Sequence, residues 1–129
     1  MNNVIVEIEK FENDLEELGD CGQLMFMYHG RKCWIVRHPM GHLSGYAELG
    51  VVMPFRAKNE VVCHGGVTYC GNGLGVGLDD RFYVGLDCMQ SSDWTPWSPR
   101  DNGVYRNVSF VRDELKDVVR QLEEMEGAR

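Results

Sequence analysis

The chain has 129 residues, 43% of them apolar, enough for a buried core, which excludes a disordered chain. Its net charge is −7, and the acids gather at the ends: residues 7–20 hold seven acids and one base, whereas residues 21–111 hold eight bases and seven acids. With no basic stripe to neutralise phosphates, duplex nucleic acid is not the expected partner, and apolar runs as short as Leu24–Tyr28 exclude a membrane-spanning helix.

The N-terminus lacks a basic segment leading into an apolar run, and the five cysteines have no framework spacing. Reduced thiols in a cytoplasmic protein are therefore expected.

In chain order, Val4, Ile5, Ile8, Phe11, Leu15 and Leu18 recur on one face of a helix whose other face carries Glu and Asp. The opening Val4–Ile8 stretch also fits a strand. Leu24–Tyr28 and Cys33–Arg37 around His29-Gly30-Arg31-Lys32 predict a β-hairpin. Residues 41–45 read as a loop, 46–53 as a third strand ended by Pro54, and 56–60 as a polar connection. A fourth strand is expected over 61–69, a glycine-rich loop over 71–80 and a fifth strand over 81–87. Residues 89–103 read as irregular. Val108, Val111, Leu115, Val118, Val119, Leu122 and Met125 predict a closing helix over about 108–126, capped by Asn107 or Ser109. The pattern implies a single α+β domain, with a mainly antiparallel sheet of about five strands between an N-terminal helix (or strand) and a C-terminal helix.

Four groups of residues carry chemistry. The stretch from Val62 to Tyr69 places His64 beside Gly65 and Gly66, where paired glycines suggest a bulge or a close approach to the backbone. Asp87, or Asp93, is a candidate to orient that imidazole for acid–base work, and a loop carbonyl is the plainer partner. The alternating glycines of Gly71–Gly77 offer either backbone amides to an anion or an ordinary hairpin loop. Trp94 and Trp97 stand in a proline-stiffened loop with Arg100, an arrangement suited to stacking on a base or to covering the core. Cys63, His64, Cys70 and Cys88 lack any metal-binding spacing, so no metal and no cofactor are expected.

The series Gly30-x-x-Cys33, Gly41 to Tyr46, His64-Gly65-Gly66-Val67-Thr68-Tyr69, Tyr83-Val84-Gly85-Leu86-Asp87-Cys88 and Tyr105…Phe110-Val111-x-x-Glu114 resembles a family of small phage-encoded proteins. The resemblance covers about residues 28–122. The chain departs from that pattern where Ser44 stands for a cysteine and Gln90 for a histidine. It implies a phage accessory protein that antagonises host defence. Three routes are open: holding a small nucleotide-like signal, binding a host defence protein directly, or hydrolysing such a signal with His64 and Asp87. The first is the leading expectation. In it Trp94 and Trp97 stack on the ligand, and Arg81, Arg100 and Arg106 meet its phosphates. His64, Gly65, Gly66 and Asp87 line the pocket, and the protein is a homo-oligomer.

Overall fold

The computed structural model describes residues 4–127. Helix α1 (Val4–Leu18) leads into strands β1 (Gln23–Tyr28), β2 (Arg31–Arg37) and β3 (Leu43–Glu48). Helix α2 (Pro54–Glu60), strands β4 (Tyr69–Asn72) and β5 (Phe82–Asp87) and the long helix α3 (Val108–Gly127) follow. One five-stranded sheet has the order β1-β2-β3-β5-β4, with every neighbouring pair antiparallel.

The β1–β2 hairpin turns on His29 and Gly30, both at positive φ (51° and 78°), the primed conformation that matches the twist of paired strands. One face of the sheet presents Cys33, Ile35, Leu43, Ala47, Val84 and Leu86, all buried beneath α3. The apolar stripe of α3 from Val108 to Met125 is buried along its whole length. Asn107 caps α3, its Oδ1 accepting from the Phe110 amide at 2.9 Å. The opposite face is partly covered by a polar network. Tyr83 donates to Asp79 at 2.8 Å and accepts from Trp34 Nε1 at 3.0 Å, and Lys32 reaches Asp79 at 3.1 Å.

Several boundaries differ from the sequence expectation. The first element is a helix throughout, and its buried face includes two acids, Glu7 and Asp14, while Ile5, Ile8 and Leu15 lie exposed. The third strand begins at Leu43, not Tyr46, because Gly45 lies directly under Val111 and Leu115 and belongs to the sheet. Residues 56–60 belong to α2 instead of an open connection. Pro54 supplies its preset first-turn backbone, and its only buried residue, Ala57, gives no apolar stripe to read. Of the expected strand over 61–69, residues 61–68 are instead irregular and only Tyr69 lies in a strand. Gly65 and Gly66 have φ of 71° and 81°, outside any pleated ladder, and the turn closes with Gly66 N donating to Cys63 O at 2.9 Å. Pairing with β5 starts only at Thr68, so β4 runs into the expected glycine loop.

Why two acids are buried in α1 follows from their donors. Glu7 Oε1 accepts from the Tyr105 amide at 2.7 Å. Asp14 Oδ2 accepts from the Tyr105 hydroxyl at 2.6 Å and the Val108 amide at 3.1 Å, one of the free donors at the start of α3. Burial raises the Asp14 pKa, and the hydrogen bonds from Tyr105 and Val108 only partly oppose it. Asp14→Ala strands two buried donors and should cost about 2 kcal/mol or more in urea unfolding. Asp14→Asn keeps an acceptor without the desolvated charge and should lose distinctly less. Equal losses would show that an acceptor at position 14 is not what joins α1 to α3.

Candidate functional site

The loop between β5 and α3 is organised around one carboxylate. Asp93, whose side chain is 1% exposed, accepts from His64 Nε2 at 2.9 Å, Arg106 Nε at 2.8 Å and the Gln90 amide at 2.8 Å. The His64 amide is in turn held by Glu114 at 2.7 Å, and Phe110 meets the imidazole edge-on at 5.2 Å. Burial raises the Asp93 pKa, but the bonds from His64, Arg106 and the Gln90 amide outweigh it. The carboxyl therefore sits below its ordinary range.

His64 is thus oriented by Asp93 and not by Asp87. Asp87 Oδ1 accepts from the Met89 amide at 3.1 Å and from Gln90 Nε2 at 2.9 Å. The reason is the turn at Gly65, which directs His64 toward the loop after β5. A Cβ on residue 65 would lie 2.5 Å from the Gln90 side chain, so the backbone there is pressed against that same loop. The structure therefore gathers His64, Gly65, Asp87, Arg100 and Arg106 around Gln90 and Asp93, with Arg100 donating to Gln90 O. Arg81 lies apart, paired with Glu48 at 3.0 Å. The guanidinium groups of Arg81 and Arg106 are thus held by carboxylates, and that of Arg100 by a carbonyl.

The two tryptophans part company. Trp94 is 3% exposed and packs in a small cluster with Phe11 and Tyr105. Trp97 is 60% exposed and contacts Phe11 edge-on at 5.8 Å. It rests on Gly41, where a Cβ would lie 2.6 Å from the indole. Burial removes Trp94 as a stacking platform and leaves Trp97.

Trp97 forms one wall of a cleft of about 330 Å³ between the end of α1 and the β2–β3 turn. Phe11, Leu15 and Leu18 line it from α1, and Arg37, His38 and Asp20 supply the polar lining. Arg37 donates Nη1 to Gly41 O at 2.6 Å and lies over the Phe11 ring at 4.4 Å. Its charge acts on Asp14 and Tyr105, it interacts with the Tyr105 hydroxyl as well, and its Nη2 is buried. Behind this wall His42 stacks on His38 at 4.5 Å. Burial, then the charge of His38, lowers the His42 pKa and favours the neutral ring. Sequence reasoning missed Arg37, because nothing in Val36-Arg37-His38 signals that α1 folds over the end of β2.

Other sequence candidates take structural roles. In the glycine loop Gly73 N donates to Arg81 O and Leu74 N to Asn72 Oδ1, and those amides face no open cradle. Burial pushes the Cys33 thiol up to about 12 and the Cys63 thiol up to about 11, and raises Cys70 and Cys88 as well, which opposes thiolate chemistry at neutral pH. Among the described residues no group of three or more His, Cys, Asp or Glu could hold a metal ion. Among the same residues no helix is long and apolar enough to cross a membrane.

The chain matches no family model, no curated protein and no solved structure.

A carboxyl whose folded pKa is depressed contributes stability above its unfolded value, and that stability is lost as pH falls through the folded one. Wild type should therefore lose stability below about pH 3.8, the ordinary carboxylate value of Asp93. Asp93→Asn should be less stable at pH 7 and show a shallower acid decline. An unchanged decline in urea unfolding across that range would remove Asp93 as the acid-sensitive tie.

Proposed function

We propose that the protein binds a small planar anion of the nucleotide class in the cleft between α1 and the β2–β3 turn. The observation that carries this reading is the pairing in one cleft of an exposed indole, Trp97, with the guanidinium of Arg37. An exposed aromatic face invites stacking, worth about 1–3 kcal/mol per base. A guanidinium lining the cleft suits an anionic oxygen, because its fork of N–H donors pairs with phosphate or carboxylate oxygens.

The cleft's volume of about 330 Å³ lies at the small end of ligand sites and suits one base-sized group with a short anionic tail. The chain's net charge of −7 and the nearby Asp20 favour a ligand with few phosphates. The resemblance to phage proteins gives such binding a purpose, the sequestering of a nucleotide-like signal of host defence. In this reading His64 and Asp93 shape the neighbouring loop and do no chemistry.

A second reading is direct inhibition of a host defence protein. It is favoured by Val51, Met53 and Phe55, a run of exposed apolar side chains entering α2, of which Phe55 is 79% exposed.

Nucleoside monophosphates and cyclic dinucleotides, screened by thermal shift and then calorimetry, test the first reading. At least one should raise the melting temperature of wild type. Trp97→Ala, at an exposed position, should fold normally and weaken binding about tenfold or more. No shift with any nucleotide, together with no nucleotide released from denatured protein, would overturn it.

A further inference from the structure

β1 is an edge strand whose outer ladder is unused among the described residues. Arg37 N donates to Gly22 O, so by the alternation of antiparallel pairing the even-numbered positions of β1 bond to β2. The amides and carbonyls of Met25 and Met27 therefore point away from the sheet. Edges are normally blunted by a charge, a proline or a bulge. Gln23-Leu24-Met25-Phe26-Met27-Tyr28 has no charge and no proline, and its register with β2 is unbroken. Met25 and Met27 are 43% and 55% exposed on the face away from α3.

The α3 side of this edge carries a row of three cations. Arg112, Lys116 and Arg120 follow one another at four-residue spacing along α3. Arg112 lies over Phe26 at 5.3 Å, and Lys116 and Arg120 lie over Tyr28 at 5.5 and 5.6 Å. Carboxylates flank the row: Asp113 lies three residues from Lys116 on α3, Asp117 and Glu124 lie three and four residues from Arg120, and two more come from α1 and the end of α3. Glu17 is 3.6 Å from Arg112, and Glu123 is taken up by His29 at 2.9 Å. Lys116 makes no ion pair among the described residues. This cationic row is notable in a chain of net charge −7.

We propose that the β1 edge receives an extended acidic segment of a partner protein as a sixth strand. Main-chain groups of Met25 and Met27 would supply the ladder. Alternate acidic side chains of the segment would face Arg112, Lys116 and Arg120, and the apolar ones between them would cover Met25 and Met27. A second copy fits this edge poorly. Antiparallel pairing of two β1 strands about a two-fold axis keeps both α3 helices on one face and sets each cationic row against its own image.

The probe is a fluorescently labelled peptide of roughly eight residues with Glu and Val alternating, compared with its Lys–Val counterpart. Full-length protein should bind the acidic peptide at least tenfold more tightly, and more weakly as salt rises. Met25→Pro removes an outward amide without breaking the β2 ladder and should abolish binding while the circular dichroism spectrum is kept. Lys116→Glu with Arg120→Glu should reverse the preference between the peptides. Trp97→Ala should leave peptide binding unchanged, which keeps this result separate from that of the cleft. Equal affinity for the two peptides, or binding that survives both edge variants, would overturn the proposal. So would an unliganded dimer with the Met25 and Met27 amides protected from exchange.

Discussion

The buried carboxylate of Asp93 is the constraint on which the middle of this molecule depends. It draws donors from three separate segments: the turn at His64, the tight bend at Gln90 and the approach to α3 at Arg106. An ionised acid with 1% of its side chain exposed is tolerable only when every bond is made. That requirement fixes a long irregular loop without regular secondary structure. The loop in turn presents Trp94 inward and Trp97 outward. The cleft wall, the cover over α1 and the entry to α3 all follow from where this loop is tied.

A second set of charges works in the same manner at the other side of the loop. Glu7 and Asp14 reach from α1 to Tyr105 and Val108, and Arg37 lies between Phe11 and Tyr105. The aromatic cluster of Phe11, Trp94 and Tyr105 is small, so its polar rim carries much of the specificity of α1 docking. The cleft exists because this docking is incomplete at its far end. Leu15 and Leu18 pass the β2–β3 turn without filling the space beside Trp97.

Periodicity made much of the fold legible. The stripe of α3, the hairpin and the fifth strand carry strong local patterns and are present; α1 is a helix too, but it buries Glu7, Phe11, Asp14 and Leu18 and not the whole apolar stripe that its sequence suggests. What stayed hidden depends on distant contacts. Ala57 alone is buried in α2, too little for a helical signal. Gly65 and Gly66 read as interruptions of a strand, whereas they are a turn that abolishes it. The sequence pointed to His64 and to both Asp87 and Asp93, but which aspartate meets the imidazole was decided by that turn. Arg37 and Phe11, some 26 positions apart, became neighbours only through the path of α1 across the end of the sheet.

The partners of α1 also bear on how the chain is made. The donors that receive Glu7 and Asp14 lie 91 to 98 residues later in sequence. A nascent chain emerging from the ribosome therefore presents α1, with its exposed Ile5 and Ile8, long before Tyr105 and Val108 arrive. The β1–β2–β3 meander, built from neighbouring segments, can form in that interval, because its contacts are local. Helix α1 is thus placed to dock only after α3 has emerged, and its density of acids keeps it solvated in the meantime.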